Sequence, residues 1–231
     1  MMTAGWQLLV VPMLMATVTS HAQDGPTGTP SSVADAQPPL LLSWIDAEQI
    51  LRETSGLSAE VVQVFDSIGV RVEWRIYRGR HAPRTNELFV HLRTAEPVKW
   101  QLERRSMGVV FTRGETQRRL YVFFRSLART LGYDPRELRA LLKVRDDRNF
   151  ERALSRVIVH EAVHALAPEL PHAPSGVTRS LLTRRELISL HERIDPSAVD
   201  AFRGAVTKLH LQTAVLPADA VQGEQLSRVR P

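Results

Sequence analysis

The stretch from Phe150 to Ala167 reads FERALSRVIVHEAVHALA and is followed by Pro168. Four apolar residues within it lie three or four positions apart, which is the spacing of one helix face. The spacing predicts a helix over 150–167 that ends where proline cannot continue it. We expect its apolar face to pack against a sheet, which leaves the opposite face free to carry chemistry. The apolar residues are Leu154, Ile158, Ala162 and Ala165.

Two histidines and a glutamate stand together on this predicted helix. His160 and His164 are four residues apart, so their imidazoles lie one turn above each other and can bind one metal ion. Glu161, next to His160, can take a proton from a water that the metal activates. The alternative interpretation is two surface or packed histidines with Glu161 in a salt bridge.

A block of strands precedes the helix. From Val70 to Tyr77 apolar and polar residues alternate, which is the period of a half-buried strand. Strands grouped ahead of helices indicate the α+β class, with a small mixed sheet packed on the 150–167 helix and a helical C-terminal part. Three further strands are predicted at Leu88–Leu92, Met107–Thr112 and Leu120–Phe124, the last continuing as a helix toward Leu131.

Three more helices are predicted from their spacing and end signals. Asp134 as N-cap, with Pro135 and Glu137 in the first turn, predicts a helix that runs to about Lys143. The two others are predicted at Trp44–Glu53 and at Ala59–Ile68, the second opened by Ser58 and closed by Gly69.

The N-terminal segment has the pattern of a cleaved signal peptide. Residues 1–22 contain no Asp, Glu, Lys or Arg, and an apolar run is followed by Ser20 and Ala22, which fit the cleavage preference. An uncleaved membrane anchor is the alternative. Residues 23–39 are rich in Pro, Gly and Ser and predict a disordered linker. The expected organisation is a signal peptide over 1–22, a linker over 23–39, one domain over 40–216 and a flexible tail over 217–231.

Composition excludes several classes of protein. The chain has 231 residues and a formal charge of +5, from 30 basic and 25 acidic residues. Three of the basic residues are lysines, so 30 − 3 = 27 are arginines, spread along the chain and mixed with acids rather than clustered as in a nucleic-acid site. The absence of cysteine excludes disulfides, thiol nucleophiles and cysteine-ligated metals. Any metal must therefore be bound by histidines and carboxylates.

The motif resembles the active-site helix of the zincin metallopeptidases, which carries HExxH. More narrowly, HEAVHALAPELPHAPSGVTR, residues 160–179, is similar to the HExxH, seven-residue gap, His and Ser-Gly-Ile-Met-Arg pattern of exported bacterial proteins that look like metzincins. The resemblance implies a zincin-like fold with Zn²⁺ bound by His160, His164 and His172, and Glu161 as the general base. Two departures stand out: His172 follows His164 by eight residues rather than six, and Thr178 replaces the methionine.

A second candidate for the third ligand is Glu186, because in gluzincins a glutamate on a following helix has this role. Thr183 and Glu186 also match a capping box, in which Glu186 turns back to the helix start. The histidine is favoured over this glutamate. His191 and Glu192 are weaker candidates, as ligand or as donor to a developing oxyanion. No neighbouring motif supports a role for His21, His81, His91 or His210.

The sequence therefore predicts an exported, periplasmic or secreted zinc peptidase, an endopeptidase that acts on a peptide or protein substrate. The alternative is a catalytically silent zincin-like module that binds a metal or a partner protein. The expected protein is a monomer with no nucleic-acid partner and no stable membrane span after cleavage. In zincins an extended substrate commonly pairs with an edge strand above the helix, and either Leu88–Leu92 or Met107–Thr112 fits that position.

Overall fold

The computed structural model describes residues 38–78, 84–100, 106–113, 117–191 and 193–215. It contains five strands, which form one sheet. The strands are β1 (Leu40–Ile45), β2 (Val72–Ile76), β3 (Glu87–Arg93), β4 (Gly108–Arg113) and β5 (Gln117–Phe123). The helices are α1 (Ser55–Asp66), α2 (Phe124–Thr130), α3 (Pro135–Leu142), α4 (Arg148–Leu166), α5 (Arg184–Ile188) and α6 (Pro196–Val215), with 3-10 turns at Val98–Trp100 and Gly176–Thr178.

The sheet has the strand order β2-β1-β3-β5-β4. The first four strands in this order are parallel, and β4 pairs with β5 in the antiparallel direction at one edge. Helix α4 packs on β4 and β5, and α1 packs on α4 and β2. The predicted α+β class is confirmed, with a mixed sheet on the 150–167 helix and a helical C-terminal part.

Helix α4 forms as its spacing predicts. The Asp147 side chain accepts a hydrogen bond from the Phe150 N–H, so the helix begins at Arg148, two residues before the predicted start. It ends at Leu166, two residues before Pro168. The apolar face is buried as expected, with Leu154, Ile158, Ala162 and Ala165 at most 4% exposed.

Several other local signals are also confirmed. Asp134 caps α3 through the N–H groups of Arg136 and Glu137. Strand β5 continues directly into α2, and the alternating segment forms β2. Gly69, with φ of 70°, closes the turn after α1, as a residue without Cβ can.

The predicted helix over Trp44–Glu53 is wrong. Residues Leu40–Ile45 form β1 instead, which pairs with β2 on one side and β3 on the other. All but the last of its six residues are buried, because an interior parallel strand is covered on both faces and carries a continuous apolar run. The next residues form a turn, in which Asp46 accepts a hydrogen bond from the Leu51 N–H.

Ser58 is not the N-cap that the sequence predicts. Helix α1 begins at Ser55, with Thr54 at the N-cap position, and the Ser58 N–H already donates to the Thr54 carbonyl. The Ser58 hydroxyl donates to the Ser55 carbonyl within the first turn. A serine can satisfy its hydroxyl inside a helix in this way, so its presence alone does not fix the start.

The predicted signal peptide over 1–22 and the flexible tail over 217–231 lie outside the described residues, as does the linker except for Pro38 and Pro39. These assignments stay predictions. Among the described helices, none combines the length and the hydropathy that a bilayer span requires.

Candidate metal centre

Three histidines meet at the C-terminal half of α4. His160 and His164 lie one turn apart on the helix, and the loop after it brings back His172. One ring nitrogen from each lies within 4.8 Å of the others. The ring centroids are 4.7 Å apart for His160 and His164, 5.5 Å for His160 and His172, and 4.8 Å for His164 and His172. The structure thus brings together the three histidines that the resemblance implied.

The orientation of His160 is held by a loop beyond the third histidine. Its Nδ1 lies 2.8 Å from the carbonyl oxygen of Val177, so Nδ1 carries the proton and donates it. The Nε2 atom then keeps its lone pair for a ligand. An imidazole oriented through its second nitrogen is the arrangement that metal-binding histidines have in proteins.

The loop itself depends on a glycine. The Val177 N–H donates to the Arg193 carbonyl over 2.9 Å. Gly176, just before it, has φ of 71°, and a Cβ there would overlap the Arg193 carbonyl oxygen. Position 176 therefore requires glycine both for its backbone angle and for the close approach of Arg193.

One ring nitrogen of His164, Nε2, is buried without a hydrogen-bond partner among the described residues. A buried polar atom without a partner costs free energy, and native structures contain few of them. A ligand bound by the three histidines would supply the missing interaction.

Partial burial favours the neutral form of the two imidazoles on α4. Burial lowers the pKa of His160 to about 4 although the Val177 hydrogen bond raises it, and the charges of His164 and His172 lower it further. Burial and then His172 also lower the pKa of His164. Neutral imidazoles are the form that binds metals, so these two ligands need no deprotonation near pH 7.

Glu161 lies beside the histidines and against the edge strand. It is 9% exposed, and no described residue donates a hydrogen bond to its carboxylate. A Cβ on Gly108 of β4 would be 2.6 Å from Oε1 and 2.7 Å from Cγ of Glu161. Burial raises the pKa of Glu161 to about 8. The side chain thus fits only because position 108 has no side chain of its own.

A pocket of about 200 Å³ opens next to these groups. Both His160 and Glu161 line it, together with Gly108 from the edge strand. The donor set fits a zinc ion or a similar transition metal, because imidazoles suit such ions and three of them leave a coordination position open. Calcium and magnesium prefer oxygen ligands and fit this site poorly.

Glu186, the alternative third ligand, lies outside the histidine group. Its Oε2 accepts hydrogen bonds from the N–H and the hydroxyl of Thr183, at 2.8 and 2.7 Å, which completes the capping box of α5. Its Oε1 pairs with Arg179. Burial alone would raise the pKa of Glu186, but these hydrogen bonds and the charge of Arg179 lower it.

The remaining histidines lie elsewhere. His91 on β3 stacks on Tyr121, with ring centroids 4.6 Å apart. His210 is buried on α6, and His191 is exposed, with its N–H donating to the Ser189 hydroxyl. The structure brings none of these to the cluster. His21, His81 and Glu192 lie outside the described residues.

Sequence reasoning missed two residues that shape the site. Gly108 belongs to β4, which precedes α4 in the chain, and no local motif marks it. Val177 lies within the quoted Ser-Gly pattern, but it acts through its main-chain carbonyl, which no side-chain pattern predicts. Gly176 is part of the quoted Ser-Gly pattern and was the one available signal for the loop that holds His160.

The chain resembles known proteins in its fold but not detectably in its sequence. No family model matches the chain, and no curated protein matches it. Among solved structures, the chain is similar to archaemetzincin from Methanopyrus kandleri, with a TM-score of 0.49 and 13% identity, over 73% of this chain and 96% of that chain. A likeness at this level says nothing about activity.

Proposed function

We propose that this chain is an exported zinc-dependent peptidase, with His160, His164 and His172 as metal ligands and Glu161 as general base. One observation carries the proposal: three imidazole nitrogens converge beside a buried carboxylate that has no hydrogen-bond donor among the described residues. Structural histidines and glutamates normally find partners inside the protein, so this arrangement favours partners from outside.

Bound zinc would lower the pKa of a coordinated water to about 7 and polarise a carbonyl group. Glu161 is the group next to this site that can move a proton. It would accept a proton from the attacking water and pass it to the amine that leaves when the C–N bond breaks. Burial raises the pKa of Glu161 and so makes its carboxylate a stronger base than that of an exposed glutamate. A neighbouring cation would lower this pKa again.

The sheet topology favours β4 as the strand that binds substrate. Of the two candidate segments, Leu88–Leu92 belongs to β3, which has neighbours on both sides, whereas Met107–Thr112 corresponds to β4 at the edge. A peptide that pairs with β4 would extend the sheet through main-chain hydrogen bonds. Contact between Gly108 and Glu161 would bring such a peptide close to the base.

The first test measures zinc content and peptide hydrolysis of the full chain and of Glu161→Gln. We expect about one zinc per chain in both proteins, because Glu161 is not a ligand. Hydrolysis of an unfolded protein mixture, followed by mass spectrometry, should fall at least about a hundredfold in the variant. His191→Ala, at an exposed histidine outside the cluster, is the matched control and should keep both properties.

Zinc in the wild-type protein without any cleavage would favour the alternative, a silent metal- or protein-binding module. A wild-type protein that takes up no zinc from supplemented buffer would refute the metal centre itself. Export has its own test: the mature protein should begin at Gln23, and a chain that still begins at Met1 would contradict cleavage.

A further inference from the structure

A second pocket adjoins the one at the metal centre. It measures about 400 Å³ and lies against α2, where Ser126, Arg129 and Thr130 line it. The two pockets share Met107, Leu181 and Leu182 in their walls. We call the two adjoining pockets together the cleft; Glu161 lines one of them and the last turn of α2 lines the other.

The charges along this cleft are uneven. Glu161 is the only acidic residue that lines either pocket in the described part of the protein, whereas each pocket has one arginine. Arg179, in the first, is already paired with Glu186. Arg129, in the second, forms no ion pair or hydrogen bond through its guanidinium with any described residue. Within the described residues, the far end of the cleft therefore holds one positive charge, on the exposed Arg129, without an ion-pair partner.

We propose that this second pocket binds a carboxylate of the peptide substrate and that Arg129 pairs with it, which makes Arg129 a specificity-determining residue. This inference rests on the proposed function. A guanidinium matches a carboxylate with two parallel hydrogen bonds, which no neutral side chain reproduces. The apolar walls from Met107 and Leu182 would exclude water from one side of the pair. The carboxylate belongs to an Asp or Glu side chain or to the C-terminus of the peptide.

Arg129 also lies in the last turn of α2, where a positive charge interacts favourably with the helix dipole. The stability of the protein therefore cannot distinguish a binding role from a structural one. A ratio of two cleavage rates can do so, because a purely structural effect would change both rates alike.

The test uses quenched fluorescent peptides that carry either Glu or Gln at one position at a time on both sides of the cleaved bond, all with amidated C-termini. A second series has a free C-terminal carboxylate. For the wild-type protein we expect Glu to raise kcat/KM about threefold to fivefold over Gln at one position on one side, as a partly exposed ion pair would. A preference only in the second series would identify the C-terminal carboxylate as the ligand.

In Arg129→Gln the ratio of kcat/KM for the Glu peptide to kcat/KM for the Gln peptide should fall to about one. Arg129→Glu should cleave a matched peptide with Lys at that position faster than the Glu peptide. Arg136→Gln removes the same charge from an exposed site on α3 outside both pockets and should keep the wild-type ratio. The wild-type ratio should also decline at about 1 M salt, where the Debye length is about 3 Å.

Cleavage without any carboxylate preference, or a preference that persists in Arg129→Gln, would overturn this inference and leave the proposed peptidase intact. Failure of the wild-type protein to cleave any peptide would instead count against the proposed function. Binding of the same labelled Glu and Gln peptides, followed by fluorescence anisotropy, then decides the role of Arg129. Equal affinities for the two peptides would refute it.

Discussion

The C-terminal half of α4 and the first turn of α5 each hold a glutamate that the sequence made a candidate for the metal centre. Glu186 on α5 has donors at both oxygens, from Thr183 and Arg179. Glu161 on α4 is more deeply buried and has no described donor. Their pKa values shift in opposite directions, upward for Glu161 because of burial and downward for Glu186 because its hydrogen bonds outweigh burial.

The difference separates two uses of a carboxylate. A carboxylate whose oxygens are occupied by internal donors stabilises the local fold. One that is buried without donors destabilises the empty protein, and such groups cluster where a protein handles a ligand or a proton. Three experiments test this contrast.

The largest expected effect is on metal affinity. Removing a ligand in His172→Ala should weaken zinc binding more than about a hundredfold, because loss of even an outer-shell partner costs 10–100-fold. Glu186→Ala should leave zinc affinity near the wild-type value, since its carboxylate serves Thr183 and Arg179. Competition with a chromophoric chelator measures both. Strong zinc loss in Glu186→Ala with full retention in His172→Ala would exchange the two assignments.

The metal-free protein should show opposite stability effects for the two glutamates. Because the pKa of Glu161 is about 8 in the folded state, the folded protein binds more protons than the unfolded one between about pH 4.5 and 8, and stability falls as pH rises through that range. Glu161→Met should therefore be more stable than wild type by on the order of 3 kcal/mol at pH 7, at about 1.4 kcal/mol per pKa unit.

This advantage should vanish at pH values well below 4.5, where glutamate is protonated in both the folded and the unfolded state. The lowered pKa of His160 has the opposite pH dependence, because it reduces stability as pH falls from 6.5 toward 4. This effect is the same in the wild type and in Glu161→Met, so it cancels in their difference. Glu186→Gln should instead lose stability. Urea unfolding at several pH values with a chelator provides the measurement, and a Glu161→Met advantage that is independent of pH would contradict burial as its cause.

The smallest expected effect concerns the contact between β4 and the base. Gly108→Ala introduces a Cβ that overlaps the Glu161 side chain, so the carboxylate must move. A displacement of this size should lower kcat about tenfold, with zinc content unchanged. Gly204→Ala on α6, where a Cβ meets nothing within 4 Å, is the matched control and should retain full activity. Equal kcat for the two variants would exclude a positioning role for Gly108.

Much of the fold follows from signals that are local in sequence. Residues a few positions apart determine each of four features. These are helix α4, the cap at Asp134, the change from strand to helix between β5 and α2, and the alternation in β2. Strand β1 was missed because its run LLLSWI is compatible with a buried helix and with an interior strand. Only its partners decide between them, and Leu41 pairs with Glu87, 46 residues away.

The candidate site divides in the same way. His160, Glu161 and His164 could be read from helix periodicity, and the capping role of Glu186 from its distance to Thr183. The position of His172 depends on the shape of a loop that turns through Pro168 and Pro171, which spacing alone does not define. The contact between Gly108 and Glu161, and the position of Arg129 in the adjoining pocket, follow only from the packing of β4 and α2 near α4.

The position of β1 within the sheet also constrains the order in which the protein folds. It is the first strand in the described chain, yet it lies between β2 and β3 rather than at an edge. Because synthesis starts at the N-terminus, β1 can pair with both β2 and β3 only after residue 93 has been made. Pairings over such sequence distances carry a loop-closure cost and slow the folding rate. We therefore expect complete pairing of β1 to be a slow step of folding, because it requires β3.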